Sequence, residues 1–368
     1  SQADLAKAIR FLSLDAVERA QSGHPGMPMG MADVATVLFR DFLKFNPEDP
    51  YWPNRDRFIL SAGHGSMLLY SVLYLTQYPE ATLDQLKNFR QWGSLAAGHP
   101  EFGHLPGIET TTGPLGQGLA TAVGMAIAER VLHARVGKTL IDHSTYVMAS
   151  DGDLMEGISQ EAISLAGHLR LHKLVVLFDD NEITIDGSTH LSTSDDTLKR
   201  FQASGWNVMR IDGHNFLEIH HALAQAQTSD RPNLIACRTT IAKGAPSKAG
   251  TAGSHGMPLG AEEANATRHA LDWPYPPFTI PSAILKAWHR IGRRHQDIYH
   301  QWQQDYQHAP ANHKAFLSKE LSLEWKPALK QLKQQFLQTQ PKQATRQLSH
   351  TVLETLTPLV PMLIGGSA

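Results

Sequence analysis

The sequence predicts an α/β protein, a mainly parallel sheet with helices on both faces, followed by a helical extension. Three observations predict it. The apolar runs Tyr146–Ala149 and Leu174–Phe178 flank a stretch, 157–171, whose apolar residues Ile158, Ala162, Leu165, Ala166 and Leu169 recur at helical spacing, so 146–178 reads strand, helix, strand. The same alternation resumes with strand 207–211, helix 216–227 and strand 234–239. From Trp273 onward the text turns proline-punctuated (WPYPPFTIP) and then polar, rich in Gln and Lys, with Trp and Leu at helical intervals.

In chain order, Leu5, Ala8, Ile9, Leu12, Ala16 and Val17 predict an amphipathic helix from Asp4 that ends at Ser22-Gly23, with Pro25 blocking continuation. His24 then sits in a tight loop. A second helix is expected over 31–43, a short strand over Arg57–Leu60 and a helix over 67–75, joined by Ser61-Ala62-Gly63-His64-Gly65-Ser66. Residues 91–106, with His99 and His104 among glycines and prolines, read as a loop. The run Thr110–Gly118 opens a helix of small residues over 119–132, its glycines serving as close-packing points or as a ligand turn. Loop 243–260, rich in Gly, Pro and Ser, holds His255 at a strand end, where a lid or binding residue would lie, with a flexible solvent loop as the competing reading. A helical linker is expected over 282–336, a new amphipathic helix over 344–356 and a strand over 359–364 that would begin another domain. The expected organisation is an α/β domain over 1–272, a helical linker over 273–343 and the start of a further domain over 344–368.

At 368 residues, 42 % of them hydrophobic, the chain can bury a sizeable core. With 33 basic and 35 acidic residues there is no electrostatic case for nucleic acid or an anionic membrane surface, so any phosphate binding must be local. Cys237 is the single cysteine, which excludes an intrachain disulfide, and neither a signal-type apolar core at the N-terminus nor an apolar run of spanning length is present. These features predict a cytoplasmic, soluble protein.

The chemistry-bearing stretches are Ser150-Asp151-Gly152-Asp153-Leu154-Met155-Glu156-Gly157 and Asp179-Asp180-Asn181-Glu182-Ile183. Each follows a predicted strand, so in a βαβ crossover both lie at the carboxyl ends of neighbouring parallel strands, where open α/β sheets bind ligands. A carboxylate (Asp151) and an amide oxygen (Asn181) suit a hard divalent cation that completes its shell with phosphate oxygens and water. Gly152 lets backbone approach a phosphate, and the helix N-terminus that follows favours negative charge. Paired acidic strand ends also occur as plain turn chemistry. The spacing, a GDG-like start with an Asn some thirty residues on, resembles the thiamine diphosphate motif.

SGHPGMPMG around His24, AGHGSM around His64, ETTTGPLGQG at 109–118, DGDLMEGISQEAISLAGHL, DDNEITIDG and SHGMPLG around His255 resemble the transketolases closely, and ATRQLSHTVLE and LIGGSA extend the resemblance to the end of the chain. Two departures stand out: Ser150 replaces the usual first glycine, and Glu182 follows Asn181 where bacterial relatives often carry glycine. The resemblance implies transfer of a two-carbon ketol unit from a ketose phosphate to an aldose phosphate in the pentose phosphate pathway, with thiamine diphosphate as cofactor and Mg²⁺, which Ca²⁺ or another divalent ion can replace. It implies that Asp151, Asn181 and the Ile183 carbonyl hold the metal and that Gly152, Asn181, His64, His255, Gly113, Pro114 and Leu115 hold the cofactor. By the same resemblance His24, His99 and His255 are catalytic and contact substrate, while Arg346 binds the substrate phosphate. Glu156 and Glu161 resemble acidic residues that run between paired active sites, and read equally as a solvated helix face. The family is expected to act as a homodimer in which a further domain supplies a cofactor-activating glutamate. This chain is therefore expected to carry the diphosphate and metal half and to be inactive alone, with a second polypeptide as the other source of that domain. A dihydroxyacetone synthase-like ketol transferase and a non-catalytic cofactor-binding or dimerisation module are the alternatives.

Overall fold

The structure, a computed structural model, describes residues 1–318 and 323–366. Five strands, β1 (Arg57–Leu60), β2 (Thr145–Ser150), β3 (Leu174–Asp180), β4 (Asn207–Asp212) and β5 (Asn233–Arg238), form one sheet in the order β1-β2-β3-β5-β4. Every neighbouring pair is parallel, with Ser150 opposite Asp179 and Asp180 opposite Arg238. All carboxyl ends therefore open on one edge, and the predicted βαβ crossover between β2 and β3 is formed.

Alternation along the central strands covers both faces. Tyr146, Met148, Val175, Leu177, Ile235 and Cys237 point into one apolar layer with α1 (Gln2–Ala20), α3 (Ala32–Val37), α4 (Ser66–Leu75) and α10 (Phe216–Ala226). Val147, Ala149, Val176, Phe178, Leu234 and Ala236 point into the other, against α6 (Gln117–Val136), α8 (Gly157–His168) and α9 (Thr197–Ala203). Shorter helices α2 (Gly26–Gly30), α5 (Leu83–Lys87) and α7 (Asp151–Met155) sit beside the carboxyl edge or under α1, and α11 (Ala261–Ala270), α12 (Ser282–Arg293) and α13 (Gln296–His308) follow β5.

The helix expected over 31–43 is instead broken. α2 ends at Gly30, Met31 leaves helical geometry (ψ 3°) as the N-cap of α3, and Leu38–Phe42 winds into a π-turn. The contacts divide the chain into two compact units, Ser1–Gln303 and Gln304–Ala368. The second unit holds the end of α13 with α14 (Ala311–Leu317), α15 (Trp325–Thr339) and α16 (Thr345–Leu356), the last two packed together. The strand expected over 359–364 is not formed. Leu359 and Val360 donate to the Leu356 carbonyl and Leu363 to Val360, which are turn bonds. Pro358 and Pro361 fix φ and remove two of the N–H groups a ladder needs, so the apolar run Leu359–Ile364 turns rather than extends. The last two residues of the expected further domain, 367–368, lie outside the described residues. No helix among the described residues is long and apolar enough to cross a membrane.

Candidate functional site

A cavity of about 290 Å³ lies at the carboxyl edge, lined by His24, Met27, His64, Gly113, Leu115, Ser150, Asp151, Gly152, Asp179, Asn181, Ile183, Thr184, Ile185, Ile241 and His255. Residues separated by up to 231 positions converge here because β1, β2, β3 and β5 all end at this edge. The turn after β1 delivers His64, the turn before α6 delivers Gly113 and Leu115, β2 delivers Asp151 and Gly152, and β3 delivers Asn181 and Ile183.

The glycines permit close approach. A Cβ on Gly113 (φ +144°) would stand 3.2 Å from the His99 ring, and one on Gly63 would meet Thr112 Oγ1 at 2.6 Å. Asp153, fully buried, ties the turns together: it accepts from the Gly116 N–H at 2.9 Å and Ser61 Oγ at 3.1 Å with one oxygen, and from the Ser150 N–H at 3.1 Å with the other. Ser150, in place of glycine, donates to Asp153 Oδ2 through both its N–H at 3.1 Å and its Oγ at 3.4 Å, so that departure is accommodated.

The acidic side of the cavity is electrostatically strained. Burial first, and then the Asp179, Asp180 and Glu182 carboxylates, push Asp151 up to about 8. Its Oδ2 is buried without a hydrogen-bond partner. Asp179, fully buried at the end of β3, is pushed up to about 7, chiefly by burial, although Thr239 Oγ1 and Asn181 Nδ2 (2.7 Å) donate to it. Asn181 Oδ1 accepts from the Ile183 N–H at 2.9 Å and keeps a second lone pair. An orphaned carboxylate oxygen, an amide oxygen and a nearby carbonyl form an all-oxygen donor set that suits a magnesium-like cation, whose charge would restore Asp151 to its ionised form.

The opposite wall is imidazole. The rings of His24 and His64 lie 5.2 Å apart, His24 and His255 5.8 Å, and His64 and His255 5.0 Å. Burial, reinforced by the neighbouring rings, holds His24 at about 4 and His64 at about 3, and burial lowers His255. The three rings are thus neutral at neutral pH, each with one donor and one acceptor. His255 Nδ1 is buried without a partner.

The structure therefore brings together His24, His64, Gly113, Leu115, Asp151, Gly152, Asn181, Ile183 and His255. His99 stands behind Gly113, its carbonyl accepting from Tyr70 Oη at 3.0 Å. Pro114 is exposed beside the lining, and Arg346 is exposed on α16 of the second unit. Glu156 and Glu161 are exposed at and within α8. Sequence reasoning passed over Asp179 and Asp153 as site-forming groups. Asp179 is the last inward residue of an apolar strand, where a carboxylate is anomalous, and that anomaly was the available signal.

A second cluster with metal-ligand character, Glu129, His133 and Asp142, lies before β2 and β3. Lys173 fills it: its ammonium is 2.6 Å from Glu129 Oε1 and 2.5 Å from Asp142 Oδ1.

Residues 1–327 match the family described as "Transketolase, thiamine diphosphate binding domain". The chain is 53 % identical over 368 residues to a transketolase of Rhodobacter capsulatus, covering 99 % of this chain and 55 % of that protein. Among solved structures it superposes on a transketolase from Leishmania mexicana with TM-score 0.92 at 39 % identity, covering 100 % of this chain and 56 % of that one. It is similarly close to a Pichia stipitis transketolase in complex with sedoheptulose 7-phosphate, with TM-score 0.91, 39 % identity and the same two coverages. The chain spans about half the length of the curated relatives it matches.

Proposed function

The chain belongs to the transketolase family, and from that premise we propose that its cavity binds the diphosphate end of thiamine diphosphate through a divalent cation, as part of an enzyme that transfers a two-carbon ketol unit from a ketose phosphate to an aldose phosphate. The observation that carries this reading is Asp151, buried among three other carboxylates with Oδ2 unpaired, in the wall of a cavity that Asn181, Gly113 and Gly152 also line. Asp151, Asn181 and the Ile183 carbonyl would hold Mg²⁺, which Ca²⁺ can replace. Gly113, Leu115, Gly152 and His64 would lie against the cofactor, with Pro114 at the margin of that turn.

Thiamine diphosphate supplies, when bound, the electron sink for making and breaking the carbon–carbon bond. The residues of this chain bind, orient and handle protons. His24 and His255, neutral and 5.8 Å apart, can each give or take a hydrogen bond at a sugar hydroxyl or carbonyl, and His99 supports the same wall. Met27, Ile185 and Ile241 exclude water from one side of the cavity. A guanidinium such as Arg346 suits a substrate phosphate. Because relatives are nearly twice as long, full turnover is proposed for an assembly that includes the portion they carry beyond the matched half, in a homodimer or from a second polypeptide, in the cytoplasm and the pentose phosphate pathway.

Calorimetric titration of this chain with thiamine diphosphate and Mg²⁺ tests the reading. Asp151→Ala and Asn181→Ala should each weaken metal-dependent binding by about 100-fold or more, beyond the ~10–100-fold typical of groups that only orient a ligand. Unchanged affinity in both variants would remove the metal assignment.

A further inference from the structure

We propose that Arg90 is a positioning residue of this cavity, holding the His24 ring by Nδ1 so that the ring presents a protonated Nε2 to the ligand; the inference rests on the reading of the cavity as the cofactor and sugar site. The Arg90 guanidinium lies between two loops. Nη1 donates to Ser22 Oγ at 2.8 Å, and Nη2 lies 3.4 Å from His24 Nδ1. A guanidinium has donors only and stays charged, so Nδ1 must be the acceptor and the neutral ring must carry its proton on Nε2. That edge faces the glycine of the His255 loop: a Cβ on Gly256 would meet His24 Nε2 and Cδ2 at 3.2 Å. The ionisable and charged groups that act on the ring are His64, His255, His99 and Arg90 itself, and no carboxylate is among them.

Two further observations point the same way. Arg90 has φ +61°, a left-handed conformation that glycine adopts freely and other residues adopt at a cost, and such residues gather at functional sites. Its N–H donates to the Ala96 carbonyl at 3.0 Å, which closes the turn whatever the side chain, so the turn itself gives no reason for arginine. The guanidinium is also cradled. A Cβ on Gly98 would stand 3.2 Å from Nε, Nε is buried without a partner, and the Phe89 ring lies 5.5 Å from Cζ. Gly98 and His99 are themselves held through their carbonyls by Ser66 Oγ at 2.9 Å and Tyr70 Oη at 3.0 Å. Arg90 thus links the His24 loop to the His99 loop.

Nitrogen-15 NMR of the histidine side chains of this chain tests the proposal, with the His24 signals assigned by their loss in His24→Gln. His24 should show the Nε2–H tautomer with a hydrogen-bonded Nδ1. In Arg90→Met and Arg90→Gly the Nδ1 signal should move to that of a free acceptor, and the Nδ1–H tautomer should rise at least threefold while thermal unfolding stays cooperative. Glycine suits φ +61°, so Arg90→Gly keeps the test open if Arg90→Met does not fold. Unaltered His24 signals in a folded variant, or unfolding of both variants, overturns the role of Arg90 alone. Titration of the unaltered chain with thiamine diphosphate and Mg²⁺ reads the underlying site separately: absence of binding overturns the cavity reading, and this role with it, whatever the tautomer.

Discussion

The two ends of the strand pair β2 and β3 carry similar residues and opposite electrostatics. Before the strands, Glu129 and Asp142 meet the Lys173 ammonium at 2.6 and 2.5 Å, and Lys138 stands 3.8 Å from Asp142, so the cluster is neutralised from within. After them, Asp151, Asp179, Asp180 and Glu182 crowd together. Arg210 takes Asp180 at 2.7 Å and Arg238 takes Glu182 at 2.8 Å, yet Asp151 Oδ2 has no partner. Acidic clustering alone therefore does not mark a cation site; a carboxylate left buried without its counter-charge does. The division also follows the sheet, since the amino-terminal ends of parallel strands serve stability and the carboxyl ends bind ligands.

The largest effect expected from this contrast is a pH dependence in the metal-free protein. Asp151 and Asp179 are held at about 8 and about 7, above the ordinary 3.8, so between these values the folded state retains protons that the unfolded state has released. Stability should then be full below about pH 4 and fall as pH rises through 7 to 8, by about 1 kcal/mol per pH unit, near the ~1.4 kcal/mol limit for one group. Asp142 at the other end runs the opposite way: burial raises it, but the Lys173 hydrogen bond and charge outweigh burial and leave it below its ordinary value. Urea unfolding from pH 4.5 to 8 in the presence of a chelator measures the slope. Asp151→Asn should flatten it by half or more, and Mg²⁺ with thiamine diphosphate should do the same in the unaltered chain. A flat profile in the metal-free protein would erase the difference between the two ends.

The second effect belongs to the self-neutralised end. Lys173→Met leaves the buried Glu129 without its ammonium and the part-exposed Asp142 with only Lys138 at 3.8 Å, and should cost about 2 kcal/mol, below the 3–5 kcal/mol of a fully buried pair because the Lys173 side chain keeps 22 % of its exposure. Cofactor affinity should stay within twofold of the unaltered chain. Equilibrium unfolding with and without Mg²⁺ sharpens the comparison. Rescue of Lys173→Met by the ion would make this cluster a cation site too.

Much of this was legible in the sequence, for identifiable reasons. The sheet was legible because apolar runs of strand length alternate with helical periodicity over 146–178 and 207–239, and both faces of a parallel sheet are buried. The cavity residues were legible because His24, His64, Asp151 and Asn181 stand in glycine-bearing turns directly after strands or helices, where side chains are free to face a ligand. The Lys173 cluster was not, since Glu129, Asp142 and Lys173 come from three elements and no local pattern joins them. The run 359–364 misled because its apolar content outweighed Pro361, which decides the local geometry. Arg90 was invisible because its importance lies in a positive φ and a partner 66 positions away.

The smallest expected effect concerns Glu182, the departure from glycine at the unsatisfied end. Its φ is +61°, which explains why glycine is the easier residue there. A non-glycine residue in that region costs about 1–2 kcal/mol, while glycine gives back about 0.5–1 kcal/mol through the greater freedom of its unfolded chain. The Arg238 ion pair, with both side chains 43 % exposed, offsets no more than about 0.5 kcal/mol. The midpoints of these contributions leave Glu182→Gly more stable by about 0.5 kcal/mol at pH 7. It also removes one of the three carboxylates that raise Asp151, so the fall of stability with pH should become shallower. Glu182→Gln separates the two causes, because it removes the charge and keeps the strained backbone. If Gln and Gly variants unfold at the same urea concentration, the φ contribution is negligible and only the charge matters. If Gly is the more stable of the two at every pH, the backbone argument holds, and glutamate at this position is tolerated through its pairing with Arg238 rather than through any preference of the turn.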